Sequence, residues 1–316
     1  MSVKITGPVV TTANTFASTS RRPRPVVVPY LYVLPAVLMF AVFVVYPILW
    51  VISESLHGKG NLHPTAFVGL DHYRQVFQDP VFWRVLLNMF LWGLITIPVQ
   101  MVIGGTIAYL IERHTSRSKT FFRVMFFLPV ITSVSVISIV WSQMYAPYYG
   151  IIQQYAKFVG LSLTTSPLGD PSLVIYALIL VNIWQWTGFS MIMYVAGLNN
   201  IPAELWDAAK IDGAYGWKLA VRIVVPLLSP VTRSLLLLGV IGTLQTFPIV
   251  HLMTDGGPDH ASEIFGTYIF KQGFVIGDIG YASALSTLVL IIALVLTVIQ
   301  IVALGAQLSP NQKRLV

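Results

Sequence analysis

Residues 207–226 read DAAKIDGAYGWKLAVRIVVP, a polar and amphipathic stretch between two long apolar segments. Of the 316 residues, 56% are hydrophobic and only 10% are charged, whereas soluble domains carry about 25% charged residues. The chain is therefore predicted to be an integral membrane protein. In such a protein the stretch 207–226 forms a structured loop at one membrane face, which indicates a surface where another protein docks.

Working outward from this loop, six charge-free runs are long enough to cross a bilayer, which takes about 20 apolar residues. Spanning strands would leave backbone groups unpaired in lipid, and the runs lack the alternation of barrel strands, so helices are predicted. They lie near 30–52, 84–111, 121–145, 172–197, 226–253 and 281–307. The expected fold class is an all-α membrane protein. A transmembrane domain of residues 29–308 lies between a basic tail, 1–28, and a short tail, 309–316.

Lysine and arginine predict the orientation of these helices. With the N-terminus inside, fourteen of them lie on the cytoplasmic side and five outside, which follows the positive-inside rule. Both termini and the loop 200–222 are therefore expected in the cytoplasm. The same distribution accounts for the net charge of +7 without nucleic acid. The first apolar segment is too long for a cleavable signal peptide.

Local signals predict a helix, a turn and a second helix within the loop 200–222. Asn200 is a suitable N-cap, Pro202 falls in the first turn, and Glu204 places negative charge near the helix N-terminus. Gly213 suits a left-handed position at the helix end, and a second short helix leads to Pro226. Two interpretations follow from the residues alone: the first helix docks on a partner protein, or it rests on lipid headgroups. On the outer side, a short helix is expected from Asp71 to just before Pro80, acting as a lid.

The loop resembles the EAA loop of the membrane subunits of bacterial and archaeal ABC importers. That pattern is Glu-Ala-Ala, three residues, Gly, nine residues and Ile-x-Leu-Pro. The matching positions in this chain are Asp207, Ala208, Ala209, Gly213, Ile223, Val225 and Pro226. Two positions depart from it, since Asp207 stands for glutamate and Val225 for leucine.

Four further segments are similar to the maltose and glycerol-3-phosphate type sugar permeases of the carbohydrate uptake family. They are FVGLDHYRQVF (67–77), NIPAELWDAAKIDGA (200–214), TDGGP (254–258) and GYASALSTLVLIIALVLTVIQ (280–300). The resemblance implies the type I ABC importer permease fold in a bacterial or archaeal plasma (inner) membrane. It also implies a second permease subunit in a heterodimer, two copies of a cytoplasmic ATPase, and an extracellular or periplasmic solute-binding protein.

The sequence lacks the GxxxxGK[ST] phosphate-binding loop, so no ATP site or other cofactor is expected in this chain. ATP and Mg would be used by the partner ATPase, and the loop would transmit its motion to the attached helices. Asp207 and Gly213 are expected to be essential, the first as a charge that orients the docked helix and the second as a turn. The full set predicted to couple to the ATPase is Glu204, Asp207, Ala208, Ala209, Asp212, Gly213, Ile223 and Pro226.

Polar residues within the apolar runs predict a substrate pathway, because embedded polar groups are costly in lipid and tend to face a cavity. Amides suit the hydroxyl groups of a sugar, and indole rings suit its C–H faces. The predicted pathway residues are Asn182, Trp184, Gln185, Trp186, Tyr194 and Gln245. Thr187 lies in the same cluster near the middle of the fourth span, and weaker candidates are Ser133, Ser135, Ser138, Gln143 and Thr246. Helix packing and interfacial anchoring remain the alternative for the tryptophans and serines.

Catalysis and metal binding are not expected. The chain has no cysteine and six histidines, which lack the spacing of metal ligands. The predicted function is a permease subunit that forms half of the translocation pathway of an ATP-driven importer for a sugar or sugar-like solute. Alternatives are an importer permease for a glycerophosphodiester, polyamine or amino acid, an ion-coupled carrier, or a scaffold protein.

Overall fold

The computed structural model describes residues 27–58, 66–114, 118–158, 160, 165–211, 213 and 215–305. These residues are almost entirely helical. Within them the extended structure is limited to one isolated bridge between His57 and Phe67. The chain divides into two compact units, 1–50 and 51–316.

The described part of the first unit is helical and continues into the second. It consists of α1 (Val27–Phe40), a π-helical turn (Ala41–Val45) and α2 (Tyr46–Glu54), whose last residues belong to the second unit. The π turn precedes Pro47, which has no N–H to donate, and the Tyr46 N–H bonds five residues back to the Ala41 carbonyl. The segment Tyr30–Glu54 is long and apolar enough to cross a membrane, and it covers the expected span 30–52.

The remaining helices belong to the second unit. They are α3 (Asp71–Gln78), α4 (Pro80–His114), α5 (Lys119–Ile131), α6 (Val134–Met144), α7 (Ile151–Phe158), α8 (Val174–Asn199), α9 (Ala203–Ile211), α10 (Gly216–Leu219), α11 (Val225–Leu227), α12 (Ser229–Leu244), α13 (Pro248–Met253), α14 (Phe265–Phe270) and α15 (Ile279–Gly305), with π turns at Ala220–Val224 and Lys271–Val275. Helix α3 has the start and end expected for the outer helix. Helices α4, α8 and α15 occupy the expected spans 84–111, 172–197 and 281–307 as far as the description reaches.

The expected continuous helix at 121–145 is instead two helices, α5 and α6, bent by 94°. Thr132 and Ser133 have extended ψ values of 139° and 133°, which interrupts the backbone ladder. Pro129 lies in the last turn before the bend and removes one N–H from that ladder. The Thr132 hydroxyl donates to the Leu128 carbonyl at 2.9 Å, so one carbonyl at the break receives a side-chain partner.

The expected helix at 226–253 is also interrupted. It bends by 64° before Ser229, where α11 meets α12, and it opens again at 245–247, after which Pro248 begins α13. Proline is well placed at a first helical position because its missing N–H has no intrahelical role there. The described residues contain four helices that can span a membrane, or six if each bent pair forms one span.

Helices α4, α5 and α8 form the centre of the second unit. Glycines permit their close approach, as is common between membrane helices. A Cβ on Gly104 of α4 would lie 2.8 Å from the backbone nitrogen of Met191 on α8, and a Cβ on Gly188 of α8 would lie 2.8 Å from the Phe126 carbonyl carbon on α5. The backbone of α8 therefore lies in close contact with that of α4 at one point and that of α5 at another.

On the predicted outer side, hydrogen bonds to two buried or partly buried carboxylates fasten the connecting segments. Asp79 accepts hydrogen bonds from the hydroxyls of Tyr268 and, at 2.8 Å, Tyr281, which ties the α3–α4 junction to α14 and α15. Burial and the hydrogen bond to Asp79 raise the pKa of Tyr268 to about 12, so its phenol remains a donor. Glu263 is fully buried and pairs with Lys271 at 3.0 Å.

Candidate functional site

A pocket of about 440 Å³ opens between α4, α8 and α12, beside the break that follows α12. The wall of the pocket combines carboxamide, hydroxyl and aromatic side chains with glycine and aliphatic residues. None of the described lining residues is charged. They are Trp92, Thr96, Ile97, Gln100, Val134, Asn182, Gln185, Trp186, Phe189, Ser190, Leu235, Leu238, Gly239, Ile241, Gly242, Thr243, Gln245, Thr246, Pro248 and Ile249.

Four of the six predicted pathway residues line this pocket. Asn182, Gln185 and Trp186 lie three and four positions apart along α8, the spacing that places side chains on one helix face. Gln245 joins them from the break after α12, where it is the C-cap residue. The interruption of the expected fifth span thus places the carboxamide of Gln245 and the adjacent Thr246 in the pocket wall.

Trp184 and Tyr194 were also predicted for the pathway, but they are not among the residues that line this pocket. Trp184 stands two positions from Asn182, on another face of α8, and its ring meets the edge of Trp141 with centroids 5.5 Å apart. Tyr194 is buried, and its hydroxyl lies 3.1 Å from the Thr232 hydroxyl of α12. Both aromatic rings contact neighbouring helices, and for Trp184 helix packing is the alternative that the sequence left open.

Among the weaker candidates only Thr246 lines the pocket. The Thr187 hydroxyl donates to its own helix at the Ile183 carbonyl, 2.6 Å away. Gln143 accepts a hydrogen bond from the Tyr149 hydroxyl. The pocket lining also omits Ser133, Ser135 and Ser138.

Sequence reasoning missed the contribution of α4 to the pocket. Gln100 is a carboxamide in the apolar middle of α4, and its Nε2 donates to the Asn182 Oδ1 at 3.0 Å and to the Asn182 backbone carbonyl at 3.2 Å. Thr96 and Trp92 lie one and two turns before it on the same wall. The signal that was available is the cost of burying a carboxamide in lipid, which applies to Gln100 as it does to Asn182.

The loop 200–222 contains the expected helix, α9, followed by Gly213 at a φ of +70°. This left-handed conformation is the one that the sequence predicted, and glycine adopts it without the strain of a Cβ. Asn200 differs from expectation, since it is the C-cap of α8 rather than the N-cap of the next helix. Its backbone N–H bonds to the last carbonyls of α8, so the two helices are joined by a tight turn.

The predicted coupling residues divide between two faces of the loop. Glu204, Asp207 and Ala208 are exposed on α9, and Pro226 is exposed on α11. Ala209 is buried and packs in a cluster with Met191 and Leu198 of α8, so it contacts this chain rather than presenting a small side chain to a partner. Ile223 is half-buried beside the same cluster, and Asp212 lies outside the described residues.

Charged and aromatic contacts connect the loop to the C-terminal end of α4. The Arg113 guanidinium lies 4.7 Å from the ring centroid of Trp206 on α9, within the range of a cation–π interaction. The neighbouring Glu112 accepts hydrogen bonds from Lys119 at 3.1 Å and Arg123 at 2.5 Å, both on α5. The C-terminal end of α4 is therefore linked both to α9 and to the N-terminal end of α5.

Comparison with known proteins agrees with this geometry. Residues 13–313 match the family of binding-protein-dependent transport system inner membrane components. The chain belongs to this family. It is 36% identical to the probable ABC transporter permease protein YurN of Bacillus subtilis (strain 168), over 87% of this chain and 94% of that protein. It is 31% identical to the lactose transport system permease protein LacF of Rhizobium radiobacter, over 87% of this chain and 93% of that protein.

The fold of this permease matches that of a solved type I ABC importer permease. A chain from the crystal structure of a bacterial ABC transporter involved in the import of the acidic polysaccharide alginate superposes with a TM-score of 0.79, at 22% sequence identity. The match covers 89% of this chain and 96% of that chain. The permease is thus a multi-pass inner-membrane component with the predicted fold, and its described residues are almost entirely helical.

In this permease α8 connects the pocket and the loop. Residues 182–190 of α8 form one wall of the pocket, and the helix ends at Asn199, from which a short turn leads directly into α9. A displacement of α9 can therefore be transmitted along α8 to the pocket wall.

Proposed function

We propose that this chain is the permease subunit of an ATP-driven importer for a sugar or sugar-like solute, and that it forms half of the translocation pathway. The similarity to a lactose transport system permease supports the class of solute. The alginate importer shares the fold at 22% identity, and that likeness does not extend to the charge of the cargo, which the pocket side chains indicate instead.

The uncharged lining of the pocket is the observation that carries the proposal. Carboxamides and hydroxyls both donate and accept hydrogen bonds, which matches the hydroxyl groups around a sugar. Trp92, Trp186 and Phe189 add aromatic rings to the wall, and such rings pack against the apolar C–H faces of a sugar. A polyamine, an amino acid or an ion would require charged partners, which the described lining lacks.

The family to which the chain belongs supports a set of partners, and the loop supports the place where one of them docks. The exposed acidic face of α9, with Glu204 and Asp207, would dock on one of two cytoplasmic ATPase subunits, and those subunits would hydrolyse ATP with Mg. A second permease subunit would complete the pathway as a heterodimer. A solute-binding protein would deliver the cargo from outside, with both termini of this chain in the cytoplasm. The chain itself would bind no cofactor and perform no catalysis.

Uptake into proteoliposomes tests the proposal. The permease is reconstituted with its partner permease and ATPase, and uptake of radiolabelled lactose, maltose, putrescine and glutamine is measured with the solute-binding protein outside. The expected result is sugar uptake that requires internal ATP and survives collapse of proton and sodium gradients. Uptake that follows an ion gradient without ATP, or uptake of putrescine or glutamine in place of the sugars, would contradict it.

A further inference from the structure

The segment 145–169, which follows α6 on the predicted outer side, differs in charge from the other two outer connections. Its 25 residues include a single charged side chain, that of Lys157. The segments 55–79 and 254–278 have the same length and contain four and five charged side chains. Connections that face water are normally polar. The composition of 145–169 therefore indicates an environment that is not simply water.

Helix α7 lies in this segment and has three distinct sides. Ile152 is half-buried and packs against the core of the second unit. Ile151, Tyr155 and Phe158 are exposed, and their spacing of four and three positions places them on one face, here called the apolar stripe. Lys157 is also exposed but lies about 200° around the helix from Tyr155. The apolar stripe thus lies between a side that packs on the protein and a polar side.

The rings of the apolar stripe are almost without cover from this chain. Phe158 is 86% exposed and Tyr155 is 70% exposed, and their ring centroids lie 6.4 Å apart. Tyr148, shortly before the helix, is 92% exposed. Tyrosine combines an apolar ring with a polar tip, so it suits an environment that is apolar on one side and wet on the other.

Hydrogen bonds fix the segment at the level where α8 begins. The hydroxyl of Tyr145, at the end of α6, donates to the Ala177 carbonyl in the first turn of α8 at 3.0 Å. The Ser166 hydroxyl donates to the Tyr145 carbonyl at 2.6 Å. Tyr176, in the same turn of α8, is exposed, and tyrosine is enriched where a spanning helix meets the lipid headgroups. Helix α7 is therefore held near the plane of the headgroups.

We propose that α7 is an interfacial helix whose apolar stripe inserts among the phospholipids of the outer leaflet. The side chains of the stripe contact the upper part of the acyl chains, while the polar side with Lys157 faces headgroups and water. Amphipathic helices of this kind lie in the plane of the interface. A docking surface for a water-soluble protein has a polar rim instead, and the more highly charged segments 55–79 and 254–278 fit that description better. The proposal does not depend on the solute that is transported.

Site-specific photocrosslinking identifies what covers the apolar stripe. Tyr155→p-benzoylphenylalanine keeps an aromatic ring in the stripe and inserts into nearby C–H bonds when it is irradiated. Lys157→p-benzoylphenylalanine is the matched control, because Lys157 is exposed on the opposite side of the same helix. Each variant is purified with its partner permease and ATPase, which confirms assembly, and is reconstituted in phospholipid vesicles. The vesicles are irradiated with and without the loaded solute-binding protein outside, and adducts of this chain are identified by mass spectrometry.

The expected result is phospholipid adducts at position 155, with and without the solute-binding protein, and a much lower lipid yield at position 157. Equal lipid yields at the two positions would overturn the proposal, because the stripe would then have no special contact with lipid. Crosslinks from position 155 to the solute-binding protein or to the partner permease in place of lipid would overturn it in favour of a protein interface. An absence of adducts at position 155 would place the stripe in water and would also overturn it.

Discussion

Replacing Gly188 with alanine is expected to force α5 and α8 apart. The new Cβ would lie 2.8 Å from the carbonyl carbon of Phe126 and 3.0 Å from the Cα of Phe127, and closer still to the Phe126 oxygen. Ordinary van der Waals contacts begin at 3.4 Å, so the first of these distances is 0.6 Å too short. All three neighbours are backbone atoms, which cannot rotate away as a side chain can.

The expected cost can be worked from this geometry. Overpacking a well-packed region costs about 1–3 kcal/mol, and we take the upper end because backbone must move. Alanine in place of glycine within a helix gains about 1 kcal/mol in intrinsic preference. The net expectation is a destabilisation of about 2 kcal/mol. Gly242→Ala is the matched control, because Gly242 is also helical and nothing lies within 4 Å of its added Cβ.

Thermal unfolding of the purified complexes measures the difference. With the control slightly stabilised and Gly188→Ala destabilised, the two variants should differ by about 3 kcal/mol, which corresponds to roughly 6–12 °C for a domain of this size. Sugar uptake should fall in Gly188→Ala as well, since Trp186 and Phe189 on either side of the glycine line the pocket. Melting temperatures that agree within about 1 °C would show that α5 and α8 are not in backbone contact.

Three further predictions concern the charged groups and the loop. Glu263→Gln should lower the free energy of unfolding by about 3–5 kcal/mol, because the carboxylate is a buried ion-pair partner. Asp259→Asn is the control and should change it little, because that side chain is 88% exposed. Equal effects of the two substitutions in thermal unfolding would contradict this assignment. Gly213→Val should abolish ATP-driven uptake with the chain still in the membrane. Gly213→Asn should retain much of that uptake, because asparagine tolerates the left-handed conformation. Normal uptake by the valine variant would refute the role of this turn. Arg113→Gln should lower the sugar transported per ATP hydrolysed, since it removes the cation beside Trp206, and an unchanged ratio would show that this contact does not participate in coupling.

Much of the helical framework was predictable because the cost of unpaired backbone in lipid leaves few options. Long apolar runs had to be helices, and the local signals at Asp71 and Gly213 were strong enough to place a helix and a left-handed turn. The interruptions at Thr132 and after Leu244 were not predicted. Hydropathy measures how apolar a segment is and carries no information on the direction of its axis. Proline alone does not locate a break either, since α1 and α4 each contain a proline and continue through it.

The pocket was predictable in part for a related reason. Embedded carboxamides identified the polar face of α8, but residue type alone also selected Trp184 and Tyr194. Helical periodicity separates Trp184 from Asn182, since two residues correspond to about 200° around a helix. The pairing of Gln100 with Asn182 could not be read from the sequence, because it depends on the register of α4 against α8. Gln300 illustrates the same point, as its amide nitrogen instead lies 3.5 Å from the Leu236 carbonyl of α12.

The most direct test of the central claim is whether solute and water pass through the pocket between α4, α8 and α12. The chain has no cysteine, so a single cysteine at Gln245 can be labelled with a membrane-impermeant thiol reagent and scored on this chain within the assembled importer. Val181→Cys is the control, because Val181 is fully buried on α8 and does not line the pocket. We expect Gln245→Cys to be labelled at a rate that ATP changes and a transported sugar slows, while Val181→Cys stays unlabelled. Labelling at Val181→Cys but not at Gln245→Cys would place the pathway elsewhere.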